Sequence, residues 1–208
     1  MSCMDFISLP REPISYPFSD FKHRKDELLP YFHFENRLND RLRLYVSPED
    51  SLKNGIISIF KDDIAKFEGN FKNSFIYGFE INIPDYFQRS KMIAELTVGF
   101  SRDKPTVSQK EVNRIIDEEI DKHWPVKTTQ RKYNQTLYDF IDKNLNFGEF
   151  VEIYSVWHEQ TQEIHCFEPP KTERTIKLQD LIIYCDEHPL NSPETDITKS
   201  MHKVTIIK

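Results

Sequence analysis

Residues 157–166 read W-H-E-Q-T-Q-E-I-H-C, placing two imidazoles, two carboxylates and a thiol within one short stretch. If residues 159–162 turn a hairpin, opposed positions share a sheet face, and His158, Glu163 and His165 then come together on one side. Two imidazoles and a carboxylate on one face are a ligand set for a metal ion, and hence for a metal-dependent enzyme. The spacing differs from the helical H-E-x-x-H arrangement, in which one helix face presents both histidines. A slip of one residue would separate the three groups. The plainer reading is a polar hairpin end, and no cofactor is expected.

Other catalytic spacings fail for identifiable reasons. Cys166 and His165 are neighbours on an expected strand, so their side chains point to opposite faces and cannot form a thiolate–imidazole pair. No G-x-S-x-G elbow occurs. Asp62 with Asp63, and Glu118 with Glu119, are adjacent on expected helices, where neighbouring side chains diverge. Pro84-Asp85 is followed by Glu95 but by no Glu-x-Lys pair of a metal nuclease. The 5 glycines stand singly, which excludes the Gly-rich phosphate loops of Rossmann and Walker proteins.

Charge is the more informative signal. The 208 residues carry a formal charge of -6 with a pI near 5.7, which disfavours a general polyanion binder. Two basic groups, Lys22-His23-Arg24-Lys25 with Arg37, Arg41 and Arg43, and Lys127, Arg131 and Lys132, have aromatics nearby (Tyr31, Phe32, Phe34, Tyr45, Tyr133) that could stack on single-stranded bases. Both groups are interrupted by acidic or polar residues, and a mixed-charge surface is the preferred reading, so nucleic acid is not the expected partner. Conversely, Asp117, Glu118 and Asp121 on one expected helix, extended by Asp139 and Asp142 on the next, form a candidate acidic ridge. Such a ridge attracts a protein with a basic surface and disfavours wrong partners.

The elements that must carry these residues follow from periodicity. Ser108 and Glu111 form a capping box ahead of Val112, Ile115, Ile116 and Ile120, the stripe of a helix ending near residue 123. Leu137, Phe140, Ile141 and Leu145 predict a second helix stopped at Phe147-Gly148. Alternation predicts strands at residues 41–46, 75–83 and 92–100, the last two as an antiparallel hairpin, and again at 149–157, 163–167, within 175–184 and at 204–207. Ser47-Pro48-Glu49-Asp50 reads as a helix start, with Ile56, Phe60, Ile64 and Phe67 as its stripe. Residues 1–17, with three prolines, read as an extended arm, followed by a short helix over 20–29.

The order predicts an α+β protein, an antiparallel sheet with helices packed on one side and a ferredoxin-like split βαβ in the central region. Residues 1–40 are expected as an N-terminal arm and short helix, and 41–208 as the main domain, with 149–208 a candidate β-rich subdomain. Three cysteines without metal or disulfide spacing, a mean hydropathy of -0.61, and no basic-then-apolar leader point to a cytoplasmic protein that no membrane anchors. The expected function is a non-enzymatic acidic interaction protein that binds and occludes a protein partner, such as an immunity or inhibitor protein. The alternatives are the metal-dependent enzyme and a single-stranded nucleic-acid binder.

Overall fold

A computed structural model describes residues 2–32, 41–50, 52, 55–60, 68–103, 108–123, 125–158, 170, 172–187 and 202–208. Among them, eight strands form one sheet: β1 (Ser2–Leu9), β2 (Tyr16–Pro17), β3 (Arg43–Tyr45), β4 (Ile56–Phe60), β5 (Phe75–Asn82), β6 (Phe150–His158), β7 (Thr172–Lys177) and β8 (His202–Ile207). Their spatial order is β2-β3-β4-β5-β1-β6-β8-β7. Only β7 and β8 pair in parallel. The described helices are α1 (Lys25–Leu28), α2 (Pro84–Asp103), α3 (Gln109–His123), α4 (Val126–Asn144) and α5 (Leu181–Glu187). This is the α+β class that the periodicity predicts.

β1 is antiparallel to both β5 and β6, so those two strands run parallel to each other with β1 between them. The helices α2 to α4 make the connection, which is therefore a split βαβ crossover. The eight-strand order around it is not that of a ferredoxin-type sandwich. The expected arm over residues 1–17 is corrected here, because Ser2–Leu9 is a central strand. Phe6, Ile7, Ser8 and Leu9 are all buried, so both faces of this strand are covered and the chain shows no wet alternation to announce it.

One face of the sheet carries the main core. Ile7, Ile57, Ile59, Phe79, Ile81, Ile153 and Val204 pack there against Leu137, Phe140, Ile141 and Leu145 of α4 and against Leu181 and Tyr184 of α5. The expected stripe of α4 is thus the face it buries. On the opposite face, Leu44 and Ile56 meet Phe18, Phe21, Leu28 and Tyr31 from the helical turns around α1. Further along that face, Phe71 covers Tyr154, with their ring centroids 6.1 Å apart.

Three further expectations are overturned. Residues 92–100 belong to α2, not to a hairpin strand: Pro84 supplies a first-turn helix residue, and Met92 and Leu96, one turn apart, pack on Val112, Ile116 and Ile120 of α3. Val98, which the alternation required to be buried with them, is 69% exposed. Residues 56–60 form β4, not a helix face, and their run I-I-S-I-F is buried on both sides at four positions. The Ser47–Asp50 signal closes a turn, with the Asp50 amide donating to the Ser47 carbonyl at 3.0 Å and the Ser47 amide donating to Asp50 Oδ2 at 3.3 Å. The same side-chain bonds that cap helices serve turns equally well.

The hairpin expected over 149–157 and 163–167 is corrected in part, since β6 has β1 on one side and β8 on the other over residues 152–155; residues 163–167 lie outside the described residues. The strand within 175–184 is β7, which ends at Lys177 before the chain turns into α5, and the final strand is β8. The strands of residues 149–208 complete the same sheet that β1 to β5 begin.

Candidate functional site

Of the three metal-ligand candidates, His158 ends β6 with its backbone paired to Ser2, while Glu163 and His165 lie outside the described residues, as does Cys166. Among the described residues, no group of three or more His, Cys, Asp or Glu side chains is placed to hold a metal ion. No helix among them is long and apolar enough to cross a membrane.

Part of the basic and aromatic region is engaged in packing, while Lys22, His23, Lys25, Arg41, Arg131 and Lys132 are exposed. Arg24 pairs with Glu27 at 2.7 Å and donates to the carbonyls of Pro48 and Asp50 at 2.6 and 2.8 Å. Arg43 is held by Ser15 through its hydroxyl and carbonyl. Tyr31 and Phe32 are buried, as is Tyr133 of the second basic group. Arg37 and Phe34 lie outside the described residues. Stacking surfaces for bases are therefore not what these rings present.

The acidic residues divide into two groups. Half of the expected capping box opens α3, the Glu111 amide donating to Ser108 Oγ at 3.3 Å while the Glu111 carboxylate accepts from Arg114 and not from the Ser108 amide, and the apolar stripe turns inward onto α2. Asp117, Glu118 and Asp121 consequently face solvent. Glu118 and Glu111 both pair with Arg114, and Lys122 pairs with Glu119 at 2.6 Å. The Glu118–Lys122 compensation that helical spacing allows is replaced by these two arrangements. The guanidinium holds the Glu111 carboxyl below its ordinary range, and Lys122 does the same for Glu119. On α4, Asp142 is neutralised by Lys208 at 2.6 Å, and Asp139 lies at a separate cavity. The acidic surface is therefore that of α3, and Asp139 and Asp142 belong to different surroundings.

Two polar clusters assembled from distant parts of the chain have no local signature in the sequence. In the first, sheet register brings Asp5, Ser155, His202 and Thr172 into one row across four strands. Ser155 Oγ donates to Asp5 Oδ1 at 2.5 Å. The ring nitrogens of His202 lie 2.5 Å from Thr172 Oγ1 and 2.7 Å from the Tyr184 hydroxyl. A hydroxyl nucleophile needs its proton aimed at the imidazole, whereas here serine is bonded to the carboxylate and the imidazole to two other hydroxyls. Ser155 and Asp5 therefore do not form a relay through His202, and the row joins the sheet to α5 through Tyr184.

The second cluster is a buried ion pair on the opposite face. Glu152, with no exposed surface, accepts from Ser8 Oγ at 3.0 Å and from the Lys72 amide at 2.7 Å. Lys203 Nζ stands 3.5 Å from Glu152 Oε1, an ion-pair distance without a directed hydrogen bond, since Oε1 has no hydrogen-bond partner. The ammonium also reaches Glu173 at 3.2 Å and the Asn70 carbonyl at 3.1 Å.

Cys185, in α5, is fully buried. Burial, with a smaller contribution from Asp186, pushes its thiol up from an ordinary value near 9 to about 12. Because the folded value is the higher one, the neutral thiol contributes stability below about pH 9, and that contribution fades as pH rises towards 12. In a Cys3→Ser, Cys166→Ser background at pH 8, a disulfide reagent is expected to label Cys185 in the folded protein on the order of a hundredfold more slowly than in urea. Equal rates would show a thiol that solvent reaches.

Comparison of the chain with protein-family models, with curated proteins and with solved structures finds no match in any of the three. The functional reading accordingly rests on the geometry alone.

Proposed function

We propose that the protein is a non-enzymatic interaction protein that binds and occludes a partner with a basic surface, using the solvent face of α3. The observation that carries this reading is the division of that helix. Val112, Ile116 and Ile120 are buried against Met92 and Leu96 of α2, which leaves Asp117, Glu118 and Asp121 on the outside. Over Gln109–His123 five carboxylates stand against three Lys and Arg side chains, so the exposed face is net negative. The α2–α3 pair has its own small core, distinct from the main one, which turns the charged face outward. Charge of this kind accelerates encounter with a positive patch and sets orientation, which is how an inhibitor or immunity protein would engage its target.

The test is capture of partners by the full-length protein at low and high salt, beside a triple variant Asp117→Lys, Glu118→Lys, Asp121→Lys. A discrete partner retained by the wild type should bind the variant on the order of a hundredfold more weakly and should be released by salt. Retention that is indifferent both to salt and to the triple variant would eliminate the α3 face as the binding surface.

A further inference from the structure

We propose that the cavity between β3, α4 and the Ser47–Asp50 turn binds a small organic cation, an alkylammonium or guanidinium group, with the phenol ring of Tyr45 and the carboxylates of Asp50 and Asp139 among its lining. The cavity measures about 330 Å³, at the small end of the range for ligand pockets, and lies on a different surface from the acidic face of α3.

Each wall is fixed by the local fold. Tyr45 leaves β3 towards α4, where its ring meets Phe140 edge to face at 4.9 Å and its hydroxyl donates to the Asp139 carbonyl at 3.2 Å. Tyr16 of β2 pairs with Leu44 and packs with it on the opposite sheet face, so it borders the cavity at the sheet edge, not as a partner ring to Tyr45. The Asp50 carboxylate sits on a turn closed by its bond to the Ser47 amide and clamped from below by Arg24 on the Pro48 and Asp50 carbonyls. Asp139 is oriented by Gln135 Nε2, which donates to its Oδ1 at 2.7 Å. The floor is Gly55, where a Cβ would lie 2.5 Å from Ile83 Cδ1 and 2.6 Å from Thr136 Oγ1. Only the absence of a side chain lets the start of β4 come this close to α4.

The lining chooses the ligand. Two carboxylates against one ammonium, Lys143, leave a net negative cavity. The field is felt by the Tyr45 phenol, which burial first and then Asp139, Asp142 and Asp50 push up to about 12. An anion would face two carboxylates. A hard metal cation needs six or more oxygen ligands, and the aliphatic walls of Ile14, Val46 and Leu52 offer none. One aromatic ring, aliphatic carbon and two carboxylates together match a charged head on a short hydrocarbon stem, for which the Tyr45 ring adds cation–π attraction.

The ammonium group can come from a free amine or from a lysine side chain, and the experiment separates the two. Full-length, isotopically labelled protein is titrated at low salt with n-butylammonium chloride, with n-butanol, and with a blocked peptide containing a single lysine. Saturable shifts of the Tyr45, Gly55 and Thr136 amides with the ammonium, absent with the alcohol, are the expected result. Matching shifts with the peptide assign the source to a protein side chain, and shifts with the free amine alone assign it to a small molecule. The Asp50→Asn, Asp139→Asn double variant, and Asp139→Asn alone should the double variant not fold, should weaken the ammonium at least tenfold. Unchanged affinity in the folded variant, shifts no larger there than at Asp117 and Asp121, or equal binding of the alcohol would each overturn the proposal.

Discussion

Replacing Lys203 by methionine is expected to destabilise the protein by about 3–5 kcal/mol, the cost typical of breaking a buried ion pair from one side. The side chain of Lys203 is 7% exposed and that of Glu152 not at all. Removing the ammonium leaves a carboxylate in the sheet with only Ser8 and the amides of Lys72 and Asn73 to compensate it. The double variant Lys203→Met, Glu152→Gln discharges the stranded carboxylate, and it should recover a substantial part of the loss, since neutral substitutes for a buried pair are often close to neutral in energy. Urea denaturation of the wild type, both single variants and the double variant closes the cycle. A single-variant cost under about 1 kcal/mol, or a double variant no better than Lys203→Met, would mean that the pair is solvated and its geometry incidental.

The second large effect is expected at Phe140→Ala. Phe140 has no exposed surface and sits in the core between α4 and the sheet, so truncation should cost about 3–5 kcal/mol, the transfer of a ring plus the cavity it leaves. For a chain of this size that corresponds to a melting temperature lower by on the order of 10 °C. Phe140→Leu fills most of the space and should lose less than half as much. Thermal unfolding followed by circular dichroism decides the matter; a loss below about 1 kcal/mol would indicate that α4 is only loosely seated on β4 and β5. Total stabilities are commonly about 5–15 kcal/mol, so either variant brings the fold near its limit.

What the chain disclosed in advance depended on whether the signal was local. The helix start at Ser108 and the inward stripe of α4 involve residues three and four apart; the structure places the stripe as read and keeps one of the two capping-box bonds. β5 and β8 were read from local signals too, although Ile76–Phe79 are buried on both faces and Lys203 is buried beside Val204. Failures came where burial on two faces erased alternation, as in β1 and β4, or where a chance period of two overlay a helix. In α2, Met92 and Leu96 fit both periods, whereas Val98 fits only the period of two, and it is the residue left exposed while the other two contact α3. Pro84 was the usable sign of a helix start. The polar row and the Glu152–Lys203 pair were invisible because their partners are 30 to 150 residues apart and sheet register alone unites them. The acidic face of α3 was legible in the sequence, whereas the cavity at Tyr45 depended on Gly55 admitting α4, a contact that no spacing along the chain records.

The central position of Ser2–Leu9 bears on how the molecule is made. Its neighbours are synthesised long after it: Phe75–Asn82 first and Phe150–His158 last. At ribosomal speeds of roughly 5–20 residues per second, the strand waits on the order of ten seconds for its second partner. Until β5 is made the strand's amides and carbonyls have only water to bond, and until β6 follows, the edge that β6 will pair stays open. A nascent chain that leaves one side of such a hydrophobic strand unpaired for so long is a natural client for chaperones, and the middle of the sheet is sealed only once Phe150–His158 has been made.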